Sequence, residues 1–511
     1  MISIAVASFL VASLFSAILT AVACWVAPRL GLVDKPDQRR KLHTQSMPLG
    51  GGAAVFLATA VVIGSISILW APWNYRINDE WWNLVGAFAA CTWIVVLGLI
   101  DDRFCLRGRQ KLGGQVIAAL ILIASGVLIR KIAVFGAVID LGPLAIPISL
   151  FWLLGAMNSL NLLDGMDGLA TVLGIILSLA ISALAIISGH AGVAIAALIF
   201  AGSLLGFLPF NLAPARIYLG DAGSMLIGLM VGGLSIRASL KGPGTLLLAA
   251  PLALLAIPIL DSAAAVLRRK LAGRSLYETD RGHLHHRLME RFGSKYKVLA
   301  CVAICAAITC GGALAGRVLK SDIVALVSFA AVVLMLVATG LFGRGEFGLL
   351  VCRLRETAVS MVRPIDPGIR QARETTARLQ GSREWNVLWA TLTESAEKLQ
   401  LTKIKLDLNV PAIAESFHGN WSNNGHDEQE GEWRLKLPLA VAGHSAGSLT
   451  IAGNRDDHSA CPNIEMILEI LEPFESRLRD LTLDEIVAKV GRRRIATDTS
   501  FNPRVTRAAA S

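Results

Sequence analysis

Two aspartates and two asparagines crowd one short stretch, Asn158-Ser-Leu-Asn161-Leu-Leu-Asp164-Gly-Met-Asp167-Gly-Leu-Ala170, where one apolar run, 141–163, gives way to another, 171–188. An ionisable side chain inside a bilayer-length apolar helix costs at least ~2.5 kcal/mol. Two carboxylates at such a junction therefore point to chemistry more than to a solvated helix end. On a helix Asn158/Asn161, Asn161/Asp164 and Asp164/Asp167 are each three apart, so each pair shares a face. Gly165 and Gly168 leave the backbone open to close approach.

Four further stretches carry groups of the same kind. Asp101-Asp102 closes an apolar run. Neighbouring side chains on a helix diverge by about 100°, so the two carboxylates need not share one ligand. Paired acids hold a divalent cation or accept a proton, and Mg²⁺ takes one or two carboxylates together with phosphate oxygens. Asp221 lies between Gly220 and Gly223 at the head of a predicted helix. A helix N-terminus attracts phosphate; an aspartate there repels a bare phosphate but suits a phosphate-bound cation. His283, His285 and His286 stand between Arg281 and Arg287. Histidine clusters bind metals, but the flanking arginines, and the lack of an accompanying cysteine, favour contact with phosphate oxygens. Arg39-Arg40-Lys41-Leu42-His43, ahead of Gly50-Gly51-Gly52, reads either as a membrane anchor or as a grip on phosphate or nucleotide. Lys111 and Asp261 are lesser candidates; Asp261 sits in an apolar run and needs a polar partner, such as Arg268. Carboxylates for a cation and basic groups for phosphate together describe cation-assisted phosphoryl transfer.

These groups must be positioned by membrane-spanning helices. The chain has 511 residues, 54% of them hydrophobic, and a mean hydropathy of +0.59. That is too apolar for an ordinary soluble protein. Runs of bilayer length, about 20 residues each, recur at 1–28, 50–69, 84–100, 114–129, 147–163, 169–188, 193–208, 222–236, 245–267, 298–316 and 323–342. The expected fold is an all-α polytopic membrane protein of about eleven transmembrane helices, with a small cytoplasmic α/β domain after them. Ala21-Val-Ala23 before Cys24 mimics a cleavage site, but no basic segment precedes it, and the run reads as an uncleaved first span. Basic residues concentrate in the loops 29–49, 101–113 and 268–297, which places the N-terminus outside and the C-terminus inside. Nearly every acid-rich or His-rich stretch then falls on the inner face, with Asp79-Glu80 and His190 as the exceptions. The net charge of +10 fits basic loops against anionic lipid and not a nucleic-acid partner. The eight cysteines are scattered without a CxxC pair, which suggests neither a zinc site nor a disulfide framework. A transporter would show internal repeats and several central acids; no repeat is visible, and Asp261 is the one central acid. A membrane-anchored sensor, with the tail as its output, is a third class.

Past 342 the composition turns polar. An amphipathic linker is expected over 343–380, an α/β module over 381–490, and a basic disordered tail over 491–511. Within the module, 385–399 and 463–489 read as helices, 403–410, 433–441 and 445–451 as strands, and 418–432 as a polar loop.

Five stretches, in this order, resemble the polyprenyl-phosphate N-acetylhexosamine-1-phosphate transferase family (glycosyltransferase family 4): Asp34-Lys-Pro-Asp-Gln-Arg39-Arg40-Lys41-Leu-His43 with Pro48-Leu-Gly50-Gly51; Asp101-Asp102-Arg-Phe; the Asn158–Ala170 stretch; Tyr218-Leu-Gly220-Asp221-Ala-Gly223-Ser224; and His283-Leu-His285-His286. The resemblance covers about residues 1–340 and leaves the tail unexplained. It implies transfer of a sugar 1-phosphate from a UDP-N-acetylhexosamine to undecaprenyl phosphate, with release of UMP, at the cytoplasmic face of a bacterial inner membrane. Mg²⁺ would be the cofactor, with Mn²⁺ as a substitute, and membrane lipids and a second copy of the chain would be partners. It implies Asp221 as cation ligand, with Asp102 beside it. Asp101, Asp102, Asp164, Asp167, His283, His285 and His286 would form the catalytic set. Lys41, His43, Lys111, Asn158, Asn161, Asn211 and Tyr218 would bind substrate, Asn211 and Tyr218 bordering uridine. Tyr218 stands where many relatives have Phe, a change that keeps stacking. The His-Leu-His-His form resembles the N-acetylglucosamine-1-phosphate branch, with the phospho-N-acetylmuramoyl-pentapeptide branch as the alternative.

Overall fold

The computed structural model describes residues 2–34, 47–69, 81–134, 137–242, 245–247, 249–271, 283–339, 373–380, 385–398, 401–410, 415–422, 432–441 and 444–454. The basic stretch with Lys41 and His43, Arg281, the expected helix 463–489 and the tail 491–511 lie outside the described residues. The chain divides into two compact units, one of Met1–Leu267 with Leu276–Gly343, the other of Arg344–Ser511 with Arg268–Ser275.

The first unit is mainly helical, with the short strands β1 (Val33–Asp34), β2 (Met47–Pro48), β3 (Lys131–Val134), β4 (Ala137–Asp140), β5 (Leu240–Gly242) and β6 (Thr245–Leu247) between its helices. Its helices are α1 (Ile2–Arg29), α2 (Gly51–Leu69), α3 (Trp81–Phe104), α4 (Gly108–Ala124), α5 (Ala145–Leu163), α6 (Leu169–Ile187), α7 (Ala191–Asn211), α8 (Gly220–Ser239), α9 (Ala249–Leu254), α10 (Ala256–Leu271), α11 (Leu284–Phe292), α12 (Lys295–Val318) and α13 (Asp322–Ala338). Apolar runs without charge form helices because a bilayer offers no partner to an unsatisfied backbone group. Among the described residues seven helices are long and apolar enough to cross a membrane: α1, α2, α3, α5, α6, α7 and α12. The run 245–267, expected as one span, is instead a short strand followed by α9 and α10. Pro258, one turn into α10, has no N–H to return to Leu254, and the helix is interrupted at Leu255.

α8 packs against α2, α3, α5 and α6. It can do so because the contacts are made by residues without bulk. A Cβ on Gly52 would run into the Gly223 backbone, and one on Gly98 into the Ala222 backbone. Small residues of this kind let helix backbones touch in an apolar medium. Leu160, Leu163, Leu169, Phe207, Ala222 and Met225 fill the core around that crossing.

The second unit is a five-stranded antiparallel sheet, order β10-β11-β8-β9-β7, of β7 (Arg373–Gln380), β8 (Lys403–Val410), β9 (Glu415–Ser422), β10 (Glu432–Val441) and β11 (His444–Asn454). Ile404, Leu406 and Leu408 alternate with polar residues and face Phe417, Trp421, Leu449 and Ile451; Trp385, Trp389 and Leu392 of the helix Trp385–Lys398 complete this core. On the other face Asp407 meets His418 at 2.6 Å and Lys405 at 3.1 Å. Burial pushes the Asp407 carboxyl up, but His418 and Lys405 outweigh it and hold it below its usual range. Two expectations are corrected here. The linker loses 373–380 to the sheet, because β7 pairs with β9 along its length. The loop expected over 418–432 is strand as far as Ser422, because β9 pairs with β8 through Asp407–His418 and Ile404–Trp421, which polarity alone concealed.

Candidate active site

The end of α3, the start of α4, the end of α5 and the start of α8 bring their polar residues together. Lys111 Nζ lies 2.9 Å from Asp101 Oδ2 and 2.8 Å from Asp221 Oδ1. Asn161 Nδ2 donates to Asp221 Oδ1 at 2.5 Å and to Ser224 Oγ at 2.8 Å. Asp102 Oδ1 accepts the Asp221 backbone N–H at 2.8 Å. Gly220 makes that last bond available. Its φ of +73° turns the chain sharply into α8, and the Asp102 carboxylate occupies the space a Cβ would need. Asp101 and Asp102, adjacent in sequence, thus point to different partners, as the divergence of neighbouring helix positions requires.

One atom of this group stands out. Asp102 Oδ2 is buried and, among the described residues, has no hydrogen-bond partner. A buried carboxylate oxygen without a donor is costly unless something else neutralises it. No three His, Cys, Asp or Glu side chains among the described residues converge as a closed metal cage. The donor set fits a cation that takes one or two carboxylates and completes its shell with phosphate oxygens.

The Asn158–Ala170 stretch divides where its spacing suggested unity. α5 ends at Leu163 and α6 starts at Leu169, so Asp164 and Asp167 lie in a turn and not on a helix face. Asp164 sits at the end of α5 without a hydrogen bond to its carboxyl among the described residues. Burial, then the carboxylates of Asp221, Asp102 and Asp167, push it well above the usual carboxylate range. Asp167 Oδ2 is engaged: it takes Lys295 Nζ at 2.8 Å and the Ala215 N–H at 3.4 Å. Asn158, expected to touch substrate, turns to α4 and donates to Gln115 Oε1 at 2.9 Å, while Gln115 donates to Met225 Sδ. Three residues advance a helix by about 300°, and the ~60° that this leaves between Asn158 and Asn161 is enough to send it there. Asn211, also expected at the substrate, is 3% exposed. It accepts from Thr171 Oγ1 at 2.7 Å and donates to the Ile217 carbonyl at 3.1 Å, bracing the loop between α7 and α8. Tyr218, in that loop, bonds through its backbone to Pro48 and Gly51. Burial, then Asp167, pushes its hydroxyl up to about 12.

The histidines form a second cluster. His283 Nδ1 meets Asp261 Oδ2 at 2.9 Å, and the Leu284 N–H donates to Asp261 Oδ1 at 2.7 Å. Asp261, fully buried on α10, therefore pairs with His283 and the start of α11; the side chain of Arg268, the expected partner, is not among those described. The His285 ring is nearly parallel to that of His283, with centroids 5.9 Å apart, and tilted by 40° against that of His286 at 4.2 Å. Its Nε2 is the nearest atom to a Cβ built on Gly165, which places it against the Asp164–Asp167 turn. Both its ring nitrogens are buried without a hydrogen-bond partner among the described residues. Burial, then His286, pushes its imidazole down to about 3, so it is neutral at physiological pH.

Three residues outside the expected set join the network. Ser224 lay inside a recognised motif. Gln115, buried and polar in an apolar run, carries the signal any such residue carries. Lys295 read as one more basic residue of an inner loop, and its pairing across 128 positions leaves no local trace.

Residues 84–239 match the family model described as Glycosyl transferase family 4. The chain is 32% identical over 299 residues, 58% of its length and 80% of the relative's, to a protein of Bacillus subtilis named probable undecaprenyl-phosphate N-acetylglucosaminyl 1-phosphate transferase. It is 33% identical over 339 residues, 61% of its length and 83% of the relative's, to decaprenyl-phosphate N-acetylglucosaminephosphotransferase of Mycobacterium tuberculosis. With undecaprenyl-phosphate alpha-N-acetylglucosaminyl 1-phosphate transferase of Escherichia coli K12 the identity is 27% over 303 residues, 58% of this chain and 79% of that one.

Proposed function

The chain belongs to glycosyl transferase family 4, and from that premise we propose that it transfers N-acetylglucosamine 1-phosphate from UDP-N-acetylglucosamine to a polyprenyl phosphate, undecaprenyl phosphate in a bacterial inner membrane, and releases UMP. The observation that carries this reading is the Asp101–Lys111–Asp221 bridge with Asp102 beneath it, a charged centre where four helix ends meet. In the transfer, an oxygen of the lipid phosphate attacks the sugar-bearing phosphorus. The bond from that phosphorus to the bridging oxygen breaks, and UMP leaves with the electron pair. The lipid phosphate is already largely ionised at neutral pH, so no covalent enzyme intermediate is required.

Catalysis in such a centre is mostly positioning and charge neutralisation. Asp221 and Asp102 would hold Mg²⁺, which supplies neutralisation of the donor's diphosphate charge. Lys111 keeps Asp101 and Asp221 from repelling one another until the donor arrives, then faces phosphate oxygens. Asn161 fixes the rotamer of Asp221. Asp101 orients the attacking phosphate. His285, neutral and against the Asp164–Asp167 turn, is a donor to phosphate that brings no charge of its own. Asp167 and Asn211 hold the loops that border the nucleoside, with Tyr218 on its face. Basic loops between the apolar runs support an inward-facing site and eleven membrane passes.

Purified protein is incubated with undecaprenyl phosphate, radiolabelled UDP-N-acetylglucosamine and Mg²⁺. Labelled lipid and stoichiometric UMP are expected. No labelled lipid, and no UMP from any UDP-sugar tried, defeats the reading; UMP from a different UDP-sugar alone moves the donor assignment.

A further inference from the structure

Among the described residues two non-glycine residues have left-handed backbones, Cys105 and Lys320, both with φ of +52°. Each follows a helix. The conformation is unfavourable for a side chain with a Cβ and usually falls to glycine. Such a helix end takes one of two forms: the N–H groups of the left-handed residue and of the one after it both fold back onto the last turn, or the left-handed residue's N–H alone bonds the carbonyl four positions back.

At Lys320 both bonds are of the ordinary kind. The Lys320 N–H goes to the Arg317 carbonyl, and the next N–H, of Ser321, goes to the Gly316 carbonyl at 2.9 Å. Cys105 takes the one-bond form. Its own N–H goes to the Asp101 carbonyl at 2.8 Å. That form gives the next N–H, of Leu106, no carbonyl of the last turn. It goes instead to the Asp101 side chain, Oδ1, at 2.8 Å. Asp101 Oδ2 is then left facing Lys111. The strained turn thus clamps one oxygen of a site carboxylate and aims the other.

Backbone strain held at a site by its surroundings marks a position where geometry is being enforced. The Cys105 side chain is exposed, so the thiol does not enforce it. Resting on the transfer reading above, we propose that the left-handed turn at Cys105 and the Leu106 N–H form a positioning element for Asp101, acting through backbone conformation and not through the thiol. Asp101 alone could rotate about its side-chain bonds. With Oδ1 held, Oδ2 stays on the Lys111–Asp221 side.

The test is a substitution series in the full-length protein, assayed beside wild type for labelled-lipid formation. Cys105→Gly and Cys105→Asn tolerate the left-handed backbone and are expected to keep kcat within about twofold. Cys105→Val, branched at Cβ, resists it and is expected to lower kcat about tenfold, with the KM for the nucleotide sugar unchanged. Should Cys105→Val fail to fold, replacing Leu106 by its α-hydroxy acid deletes the N–H and keeps every side chain; it is expected to lower kcat on the order of tenfold at unchanged thermal stability. Wild-type turnover in the same assay reports on the transfer reading itself, and the ratio of variant to wild type reports on the turn. Wild-type kcat in both the Val and the ester variants overturns the proposal. So does a loss in Cys105→Gly and Cys105→Asn as large as in Cys105→Val, which would make the thiol the active feature.

Discussion

Asp221 and Asp167 stand in similar local sequence, each flanked by glycine near the start of an apolar helix, yet the fold treats them differently. Asp221 shares its neighbourhood with Asp101 and Asp102, and the Lys111 ammonium lies between Asp101 and Asp221. One oxygen of that acidic group, Asp102 Oδ2, is buried without a donor among the described residues. Asp167 has a lysine of its own and a backbone N–H, and Asp261 has a histidine and another backbone N–H. Among the described residues the first arrangement is left incomplete. The other two are satisfied. Aspartates that one reading of composition would pool are sorted by whether their partners exhaust them: unmet need marks the place for substrate, and satisfied need marks a strut.

The comparison can be broken at several points. Asp221→Asn is expected to lower turnover by about a thousandfold or more while the protein remains folded; near-normal turnover, measured in the labelled-lipid assay, would make Asp221 another strut. Lys111→Met leaves Asp101 and Asp221 facing one another. Turnover is expected to fall about a hundredfold, and added Mg²⁺ should restore thermal stability more in this variant than in wild type.

A smaller effect belongs to the satisfied acids. Asp167→Asn or Lys295→Met loosens the turn against the α7–α8 loop. The KM for the nucleotide sugar should rise several-fold, with kcat within about threefold. A loss in kcat equal to that of Asp221→Asn would erase the distinction.

His285 gives a prediction in pH. Its ordinary pKa is 6.5 and its folded value about 3. Between these values the unfolded chain binds a proton that the folded protein refuses, so stability falls as pH drops from about 6.5 toward 3. His285→Gln should flatten the decline in Tm between pH 7 and pH 5, a range open to calorimetry; an unchanged slope would place the burial elsewhere. The smallest effect is expected from deleting 344–511. The sheet unit has its own core, and transfer should persist in the helical unit.

Much of this was legible in the sequence. Runs such as 169–188 and 193–208 read as helices because their apolar character exceeds any loop's, and α6 and α7 lie over them. Asp101, Asn161 and Asp221 were legible as polar groups crowded at the ends of apolar runs, and Lys111 only as a lesser candidate in a basic loop. The break at Leu255 was readable from Pro258 and was missed because hydropathy does not register a lost N–H. The division of Asn158 from Asn161 was not readable. Both are asparagines on one helix, and which meets Asp221 depends on how α5 turns against α8 and α4. Lys295 with Asp167, and His283 with Asp261, are pairs made by tertiary packing between separate elements, and no local pattern announces them. In the sheet unit the alternation over 403–410 was plain, while β9 hid behind His418 and Asn420 on its polar face.

The account turns on which carboxylates serve the reaction. The most direct measurement is the rate of labelled-lipid formation by Asp221→Asn and Asp167→Asn side by side, at saturating nucleotide sugar, lipid phosphate and Mg²⁺. The account predicts background turnover for Asp221→Asn and a rate within about threefold of wild type for Asp167→Asn. Equal rates, or the reverse order, would contradict it.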